Sequence, residues 1–247
     1  SVFLIVFVLG LILQRIFFKE KELITLIGIG TAICGVTAIM ASSSVIKSKE
    51  QNVAIAILIV VLWGSIGVFT YPFFVELFFS TEISKGLFLG VGIHDTSQVL
   101  AASLIHFDIN GNSVVLETAT LTKLIRNLFL ALLIPYLAIK VQSNSLKKIG
   151  LFKQATNNIP VFVYGFIFFI FIRSIGDQIM TSSLIWEQIL SWNHQLVSAL
   201  FGFALIALGL SIKIKELKDL SRSSIVIGLV FSLGILLVGI VVIPIFS

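Results

Sequence analysis

The sequence predicts an all-α polytopic membrane protein, a transporter-like bundle with two discontinuous or re-entrant helical segments of the inverted-repeat type. Its 247 residues are 57% hydrophobic and only 12% charged, a composition that excludes an ordinary soluble globule. Most of the 17 Lys and Arg residues lie in short clusters between apolar runs, as in the cytoplasmic loops of membrane proteins. Two of the apolar runs are interrupted by glycine and polar residues. We expect a single transmembrane domain over residues 1–247.

Membrane-length segments follow one another along the chain, separated by short charged connections. In order, they are residues 1–18, 23–46, 51–75, 86–107, 112–141, 159–175, 191–212 and 223–246. The first begins inside an apolar run and lacks the basic flank and cleavage site of a signal peptide. We therefore expect a fragment that lacks N-terminal helices. The segments at about 23–46 and 86–107 are the two predicted to be discontinuous.

The distribution of charge favours a hairpin path for both discontinuous segments. If each is a re-entrant pair of half-helices, the connections at 15–22, 47–50, 140–153 and 213–222 all face one side and hold most of the basic residues. Full crossings would move the 47–50 cluster outside, which fits the positive-inside rule less well. Two hairpins separated by one span enter from opposite faces, and their tips can meet near the middle of the bilayer.

The segment 112–141 carries two cations in its middle. Lys123 lies about 15 Å from the helix start at about 1.5 Å per residue, near the centre of the hydrocarbon core. Thr120, Lys123, Arg126 and Asn127 share one helical face and are candidate substrate-binding residues. Charges at that depth are costly, so this face should look into protein or a wet cavity. The cations are interpreted as a clamp for a small anion, as fixed countercharges, or as a buried pair with Asp95 or Glu117.

The first discontinuous segment contains a run of small residues from Gly30 to Thr37. Gly35 is predicted to open a half-helix whose free N–H groups face an anion. Thr31, Cys34, Gly35 and Thr37 are therefore candidate substrate-binding residues. The alternative is close helix packing through small residues, which is common in membranes.

The second discontinuous segment contains His94, Asp95, Thr96, Ser97 and Gln98 in the middle of an apolar run. Desolvation disfavours both charges, whereas their mutual attraction favours them. His94 and Asp95 are predicted to couple transport to protons, and His94 and Gln98 to contact substrate. A structural ion pair through Asp95 is the alternative. A hydrolase is disfavoured because nothing marks an activated nucleophile with an oxyanion hole, so we expect no enzymatic activity.

Several other functions are excluded or disfavoured by composition. The single cysteine, Cys34, excludes an internal disulfide and a multi-cysteine metal site. The three histidines are too far apart in sequence for a zinc motif. His106, His194, Trp186 and Trp192 fall near predicted membrane ends and are interpreted as interfacial anchors. We expect no cofactor, no metal and no nucleic acid. The expected partners are a small anion and the lipid bilayer, and a homo-oligomer is left open.

Four short patterns give the chain a resemblance to a known family. They are Thr31-Ala32-Ile33-Cys34-Gly35 followed by Thr37-Ala38, His94-Asp95 with Gln98-Val99-Leu100-Ala101-Ala102, Lys123-Leu124-Ile125-Arg126, and Ala207-Leu208-Gly209-Leu210. In their order and spacing the chain resembles the YeiH-type family of bacterial inner-membrane proteins, which are described as sulfate exporters. It departs from the family at Ala32, where serine is frequent, and at Ser97, where alanine is frequent. The resemblance implies a multi-pass transporter of the bacterial inner (plasma) membrane with inverted repeats, a moving core and additional N-terminal helices.

Together these patterns predict a secondary transporter that exports sulfate or a related small anion. The first rival is a cation/proton antiporter in which Asp95 binds the ion and Lys123 or Arg126 competes with it. The second rival is a binding or assembly subunit without transport activity.

Overall fold

The computed structural model describes residues 2–142, 168–169, 171–173, 175–176, 178–180, 184–211 and 221–246. The predicted span at 159–175 and the connections at 140–153 and 213–222 fall mostly outside these residues. Within the described part of the chain the structure is α-helical and contains no strand. The all-α class predicted from the sequence is therefore confirmed.

Most of the described helices follow the predicted segments, but the helix that matches the predicted span at 191–212 already begins at Leu184. They are α1 (Val2–Ile16), α2 (Lys21–Ala32), α3 (Val36–Ile46), α4 (Glu50–Phe78), α5 (Glu82–Gly92), α6 (Thr96–Asn110), α7 (Ser113–Gln142), α8 (Leu184–Ser211) and α9 (Arg222–Phe246). Of these, α4 and α9 are long and apolar enough to cross a membrane. The chain forms two compact units, and α8 belongs to the unit of residues 148–212 while the other helices belong to the unit of 1–147 and 213–247.

Both segments predicted to be discontinuous contain a break in the helix. The first break separates α2 from α3 at residues 33–35, and the second separates α5 from α6 at residues 93–95. Gly35 has φ +67° and ψ −123° just before α3, a backbone conformation that residues with a Cβ rarely adopt. Asp95 is extended just before α6. Each break therefore leaves a helix C-terminus and a helix N-terminus inside the first unit.

The α2–α3 pair doubles back on itself. Glu22, near the start of α2, accepts a hydrogen bond through Oε1 from the backbone N–H of Lys49, which follows α3, at 2.7 Å. The outer ends of the two helices therefore lie side by side, next to the start of α4. The two helices form a hairpin whose tip is the break at residues 33–35.

The α5–α6 pair forms a second hairpin at the other end of α4. Lys85 Nζ, near the start of α5, lies 2.8 Å from Glu76 Oε2, and His106 Nε2, near the end of α6, lies 2.6 Å from Glu76 Oε1. Glu76 belongs to the last turn of α4, whose 29 residues extend for about 43 Å at 1.5 Å per residue. The two hairpins therefore begin at opposite ends of α4.

Helix α7 packs closely against α5 because two glycines remove side chains from the contact. A Cβ on Gly86 would come within 2.9 Å of the carbonyl oxygen of Val115, and one on Gly90 within 2.7 Å of that of Ala119. Such close approach through small residues is typical of helix pairs in membranes. The crossing brings the middle of α7, with its two cations, to the C-terminal end of α5.

Candidate functional site

The two hairpin tips meet at Gly35 and Asp95. A Cβ on Gly35 would lie 2.6 Å from Asp95 Oδ2 and 3.1 Å from the Cα atom of Asp95, so only glycine allows the two backbones to approach this closely. The two residues precede the first turns of α3 and α6. The C-terminal ends of α2 and α5, the first helices of the two hairpins, lie at the same place. Four helix ends therefore converge there.

Arg126 binds the C-terminal ends of both α2 and α5. Its Nε and Nη2 atoms donate to the carbonyl oxygen of Ala32 at 3.2 and 2.8 Å, and Nη2 also donates to that of Thr31 at 2.8 Å. Its Nη1 atom donates to the carbonyl oxygens of Gly90 at 2.9 Å and Val91 at 2.7 Å. A guanidinium has five N–H donors, and all five are used.

Lys123 lies one turn earlier on the same face of α7 and is fully buried. Its Nζ atom donates to the carbonyl oxygen of Ile93 at 3.1 Å and to that of His94. An ammonium group has three donors, so one donor of Lys123 has no partner among the described residues. This N–H can donate a hydrogen bond to a ligand, whereas the guanidinium of Arg126 can do so only by breaking one of its existing hydrogen bonds.

Backbone carbonyls take the place of a carboxylate partner for both cations. Among the described residues no carboxylate oxygen lies within 4.0 Å of Lys123 or Arg126, and Glu117 is exposed. The alternative of a buried ion pair with Asp95 or Glu117 is therefore wrong. The last carbonyls of a helix have no partner within the helix and carry a partial negative charge. The ends of α2 and α5 supply that charge here.

Asp95 and Gln98 organise the start of α6. Asp95 Oδ1 accepts hydrogen bonds from the N–H of Ser97 at 3.0 Å and from its hydroxyl at 2.7 Å. Gln98 Nε2 donates to the carbonyl oxygen of Val61 at 3.0 Å and to Ser65 Oγ at 3.1 Å, which anchors α6 to α4. Asp95 Oδ2 lies against Gly35. Both predicted residues therefore lie at the tip, but Gln98 holds the helix in place.

His94 links the second hairpin to α9. Its ring is 1% exposed, and Nε2 lies 2.7 Å from Ser232 Oγ. Its Nδ1 atom is buried without a hydrogen-bond partner. Sequence reasoning selected His94 but missed Ser232, because nothing in the apolar sequence of α9 identifies which serine faces the second hairpin.

The remaining predicted residues differ in their contribution. Asn127 Nδ2 donates to Thr96 Oγ1 at 3.2 Å, so α7 also contacts the start of α6, and Asn127 Oδ1 is buried without a partner. The hydroxyls of Thr31 and Thr120 bond to carbonyls four residues earlier in their own helices. Cys34 is buried at the tip of the first hairpin, and Thr37 is exposed on α3.

A second polar cluster was missed by sequence reasoning. Lys85 Nζ lies between Glu76 Oε2 at 2.8 Å and Glu82 Oε1 at 2.9 Å, and His106 contacts Glu76. His106 is completely buried, so its interpretation as an interfacial anchor is wrong. The hairpin path predicted for residues 86–107 could have indicated the contact between His106 and Glu76, because it brings residue 106 back beside residues 76–85. Within the described residues no group of three His, Cys, Asp or Glu side chains could hold a metal ion.

The fold and the site define a polytopic α-helical membrane protein in which buried cations bind the ends of interrupted helices. The chain belongs to the family described as conserved hypothetical protein 698, whose model matches residues 1–228. This confirms the resemblance identified in the sequence. No solved structure matches the chain.

Several bacterial relatives carry the name UPF0324 membrane protein. The protein of Pasteurella multocida is 30% identical over 92% of this chain and 63% of its own length. That of Haemophilus influenzae is 28% identical over 98% and 67%, and that of Campylobacter jejuni is 31% identical over 94% and 65%. The predicted membrane location is therefore confirmed. The chain spans about two thirds of the length of these relatives.

Proposed function

We propose that this chain is part of a secondary transporter that moves sulfate or a related small anion across the bacterial inner membrane, without chemical change to the solute. The observation that carries the proposal is the complete burial of Lys123 at the point where the two hairpin tips meet. A buried charge inside a membrane protein is costly and is usually retained for a function.

The charges around the hairpin tips favour an anionic ligand. Lys123 and Arg126 contribute two positive charges and Asp95 one negative charge. Each helix end carries about half an elementary charge, negative at the C-terminus and positive at the N-terminus. The ends of α2 and α5 therefore offset the starts of α3 and α6, and about one positive charge remains. A bound anion would balance it.

The two cations have different roles in this proposal. Arg126 holds the ends of α2 and α5 together, since all its donors bind their carbonyl oxygens. Lys123 supplies the direct contact through its free donor. The first N–H groups of α3 have no acceptor within the helix and, with Thr37, offer further donors for an anion. Asp95 and His94 remain the proposed coupling residues.

The path of the chain supports a re-entrant arrangement with inverted repeats. The α2–α3 and α5–α6 hairpins begin at opposite ends of α4 and meet at their tips, and each contains about ten to fifteen residues per helix. Secondary transporters of this type bind substrate near the middle of the bilayer, where interrupted helices line a cavity. We propose that both hairpins are re-entrant and that their meeting point is the substrate site.

One observation favours a cation/proton antiporter as a second candidate. The Asp95 carboxylate lies at the meeting point of the two tips, against Gly35, and Lys123 is near enough to it to compete electrostatically with a bound cation. In that case sodium, rather than any anion, would drive transport.

Transport of labelled sulfate by the complete chain in proteoliposomes tests the proposal. We expect Lys123→Gln to reduce the apparent affinity for sulfate at least about tenfold, equivalent to about 1.4 kcal/mol. Lys49→Gln, which removes an exposed lysine, is the matched control and should transport as the wild type does. Unchanged sulfate transport in Lys123→Gln would refute the site, and stimulation by sodium without any anion dependence would favour the antiporter.

Thermal unfolding of the wild-type protein tests sulfate binding without requiring that any variant folds. A ligand that binds the native state raises its stability by RT ln(1 + [L]/Kd). We expect sodium sulfate at low millimolar concentration, where its general stabilising effect on folded proteins is small, to raise the Tm of the wild-type protein more than sodium chloride does at equal ionic strength. Equal shifts with both salts would argue against a sulfate site.

A further inference from the structure

The turn that joins α1 to α2 carries a group of positive side chains that the proposed anion site does not use. Arg15 lies in the last turn of α1, Lys19 lies in the short 3₁₀ helix Phe18–Glu20, and Lys21 begins α2. All three residues are exposed. Among the described residues no carboxylate oxygen lies within 4.0 Å of any of them. Their charges can therefore bind a negatively charged partner.

The acidic residues of the same turn bind other groups of the protein. Glu20 Oε1 accepts a hydrogen bond from the hydroxyl of Ser223, in the first turn of α9. Glu22 Oε1 accepts one from the backbone N–H of Lys49, just before α4, at 2.7 Å. These contacts hold the turn against the starts of two long helices. They also direct both carboxylates away from the neighbouring cations.

The balance of charge at this end of the first unit is positive. In the α1–α2 turn, the α3–α4 connection and the start of α9, the described cations are Arg15, Lys19, Lys21, Lys47, Lys49 and Arg222, and the described carboxylates are Glu20, Glu22 and Glu50. Six positive and three negative charges leave a net charge of +3. Basic segments beside a membrane helix are attracted to anionic lipid headgroups.

An exposed apolar surface continues directly from these cations. Phe18 is 70% exposed, and Lys21 Nζ lies 3.8 Å from the centroid of its ring. On α1 the exposed apolar residues follow helical spacing and form one stripe, which consists of Leu4, Phe7, Val8, Leu11 and Ile12. Arg15 lies four residues after Leu11 and so ends the same stripe. A matching partner joins a negative group to a long apolar chain.

We propose that the α1–α2 turn binds the headgroup of an anionic phospholipid. The phosphate contacts Arg15, Lys19 and Lys21, and an acyl chain lies along the exposed stripe of α1. Phe18 enters the boundary between headgroups and acyl chains, as apolar residues of interfacial segments do. A free phosphate or sulfate ion would leave the stripe uncovered, and an uncharged lipid would leave the cations unpaired.

Lipid bound at this turn would hold the outer end of the first hairpin. Helix α2 begins at Lys21, and its 12 residues extend for about 18 Å to the carbonyl oxygens that bind Arg126. The lipid site and the hairpin tip are therefore the two ends of one helix. Lipid binding does not rest on the proposed transport of an anion, and each can fail without the other.

Thermal unfolding of the complete chain in a neutral detergent with added lipid measures the binding. The probes are dioleoyl phosphatidylglycerol, which is anionic, and dioleoyl phosphatidylcholine, which has the same acyl chains and no net charge. We expect phosphatidylglycerol to raise the Tm by about 2–4 °C more than phosphatidylcholine does. The difference should shrink at about 0.5 M sodium chloride, which screens exposed charges. Equal shifts with the two lipids, or a difference that salt leaves unchanged, would overturn the proposal.

Glycerol phosphate separates a lipid site from a site for free phosphate, because it carries the same phosphate without acyl chains. It should leave the Tm unchanged at the concentration at which phosphatidylglycerol raises it. A shift equal to that of phosphatidylglycerol would show a site for free phosphate and would overturn the lipid assignment.

The double variant Lys19→Gln with Lys21→Gln locates the site. Each cation near an anionic surface strengthens binding about fivefold, so the phosphatidylglycerol concentration for half of the maximal Tm shift should rise at least about tenfold. Lys47→Gln with Lys49→Gln removes the same charge from the α3–α4 connection, and this matched control should change that concentration less than about threefold. All four lysines are exposed, so both variants should fold. Equal effects of the two pairs would overturn the assignment to the α1–α2 turn.

Discussion

Gly35 lies directly against Asp95, so the tips of two hairpins from distant parts of the chain touch through a residue without a side chain. This contact sets the distance between the starts of α3 and α6. It also brings the ends of α2 and α5 close enough for one guanidinium to bind both. The four helix ends and the two cations that bind them can therefore come together only because residue 35 has no Cβ atom.

Gly35→Ala should prevent this contact. The new Cβ would lie 2.6 Å from Asp95 Oδ2 and would require a positive φ of 67°. We expect a large loss of Tm and of folded yield in detergent. Gly111→Ala is the control, because Gly111 has φ +70° but nothing within 4 Å. It should cost only the backbone strain, about 1–2 kcal/mol, and equal effects of the two changes would show that the tips are not in contact.

Arg126→Lys should destabilise the protein although it keeps the charge. Lysine has three donors where arginine has five, so at least two of the five hydrogen bonds are lost. Each buried carbonyl left without a partner costs about 1–3 kcal/mol, and thermal unfolding would measure the loss. Arg15→Lys, at an exposed position, is the matched control. A Tm equal to that of the wild type would show that the forked geometry is not required.

Gly90→Ala should separate α5 from α7. Its Cβ would lie 2.7 Å from the carbonyl oxygen of Ala119, and backbone cannot move aside as a flexible side chain can. We expect a destabilisation of about 1–3 kcal/mol, as for other overpacked cores, measured as a lower Tm. Gly10→Ala introduces a Cβ whose nearest neighbour is 3.9 Å away and should leave the Tm unchanged or raise it slightly.

Ser232→Ala should affect the second hairpin through His94. The change removes the partner of His94 Nε2 and leaves both ring nitrogens without a hydrogen bond among the described residues. The expected cost is about 1–3 kcal/mol for the unsatisfied buried group. Ser44→Ala removes an exposed hydroxyl bonded only to its own helix and should change stability by less than about 0.5 kcal/mol. Matching stability losses would exclude a specific role for the His94–Ser232 contact.

The sequence predicted where the helices break more successfully than what the buried cations bind. Glycine and clustered polar residues inside apolar runs marked the breaks before Gly35 and Asp95, and helical spacing placed Lys123 and Arg126 on one face. A pair with Asp95 or Glu117 was only one of the interpretations, and none of them included backbone carbonyls, because every residue has one and no residue type marks it. Only a three-dimensional structure shows which helix ends are close enough to accept those hydrogen bonds.

The contact between Glu76 and His106 was missed for a different reason. The two residues are 30 positions apart and become neighbours only when α5 and α6 form a hairpin. The hairpin path was predicted from charge distribution, which describes whole connections rather than individual side chains. The burial of His106 could not be inferred from the sequence, in which this residue lies near the end of an apolar segment.

The hydrogen bonds of Arg126 limit the ways in which this molecule can change shape. Because one planar group joins α7 to both hairpins, moving one hairpin relative to the other requires several strong bonds to break at once. Residues around the tips should therefore travel as one rigid block. Under the proposed transport function, alternate exposure of the site to the two aqueous compartments would then come from movement of that block as a whole.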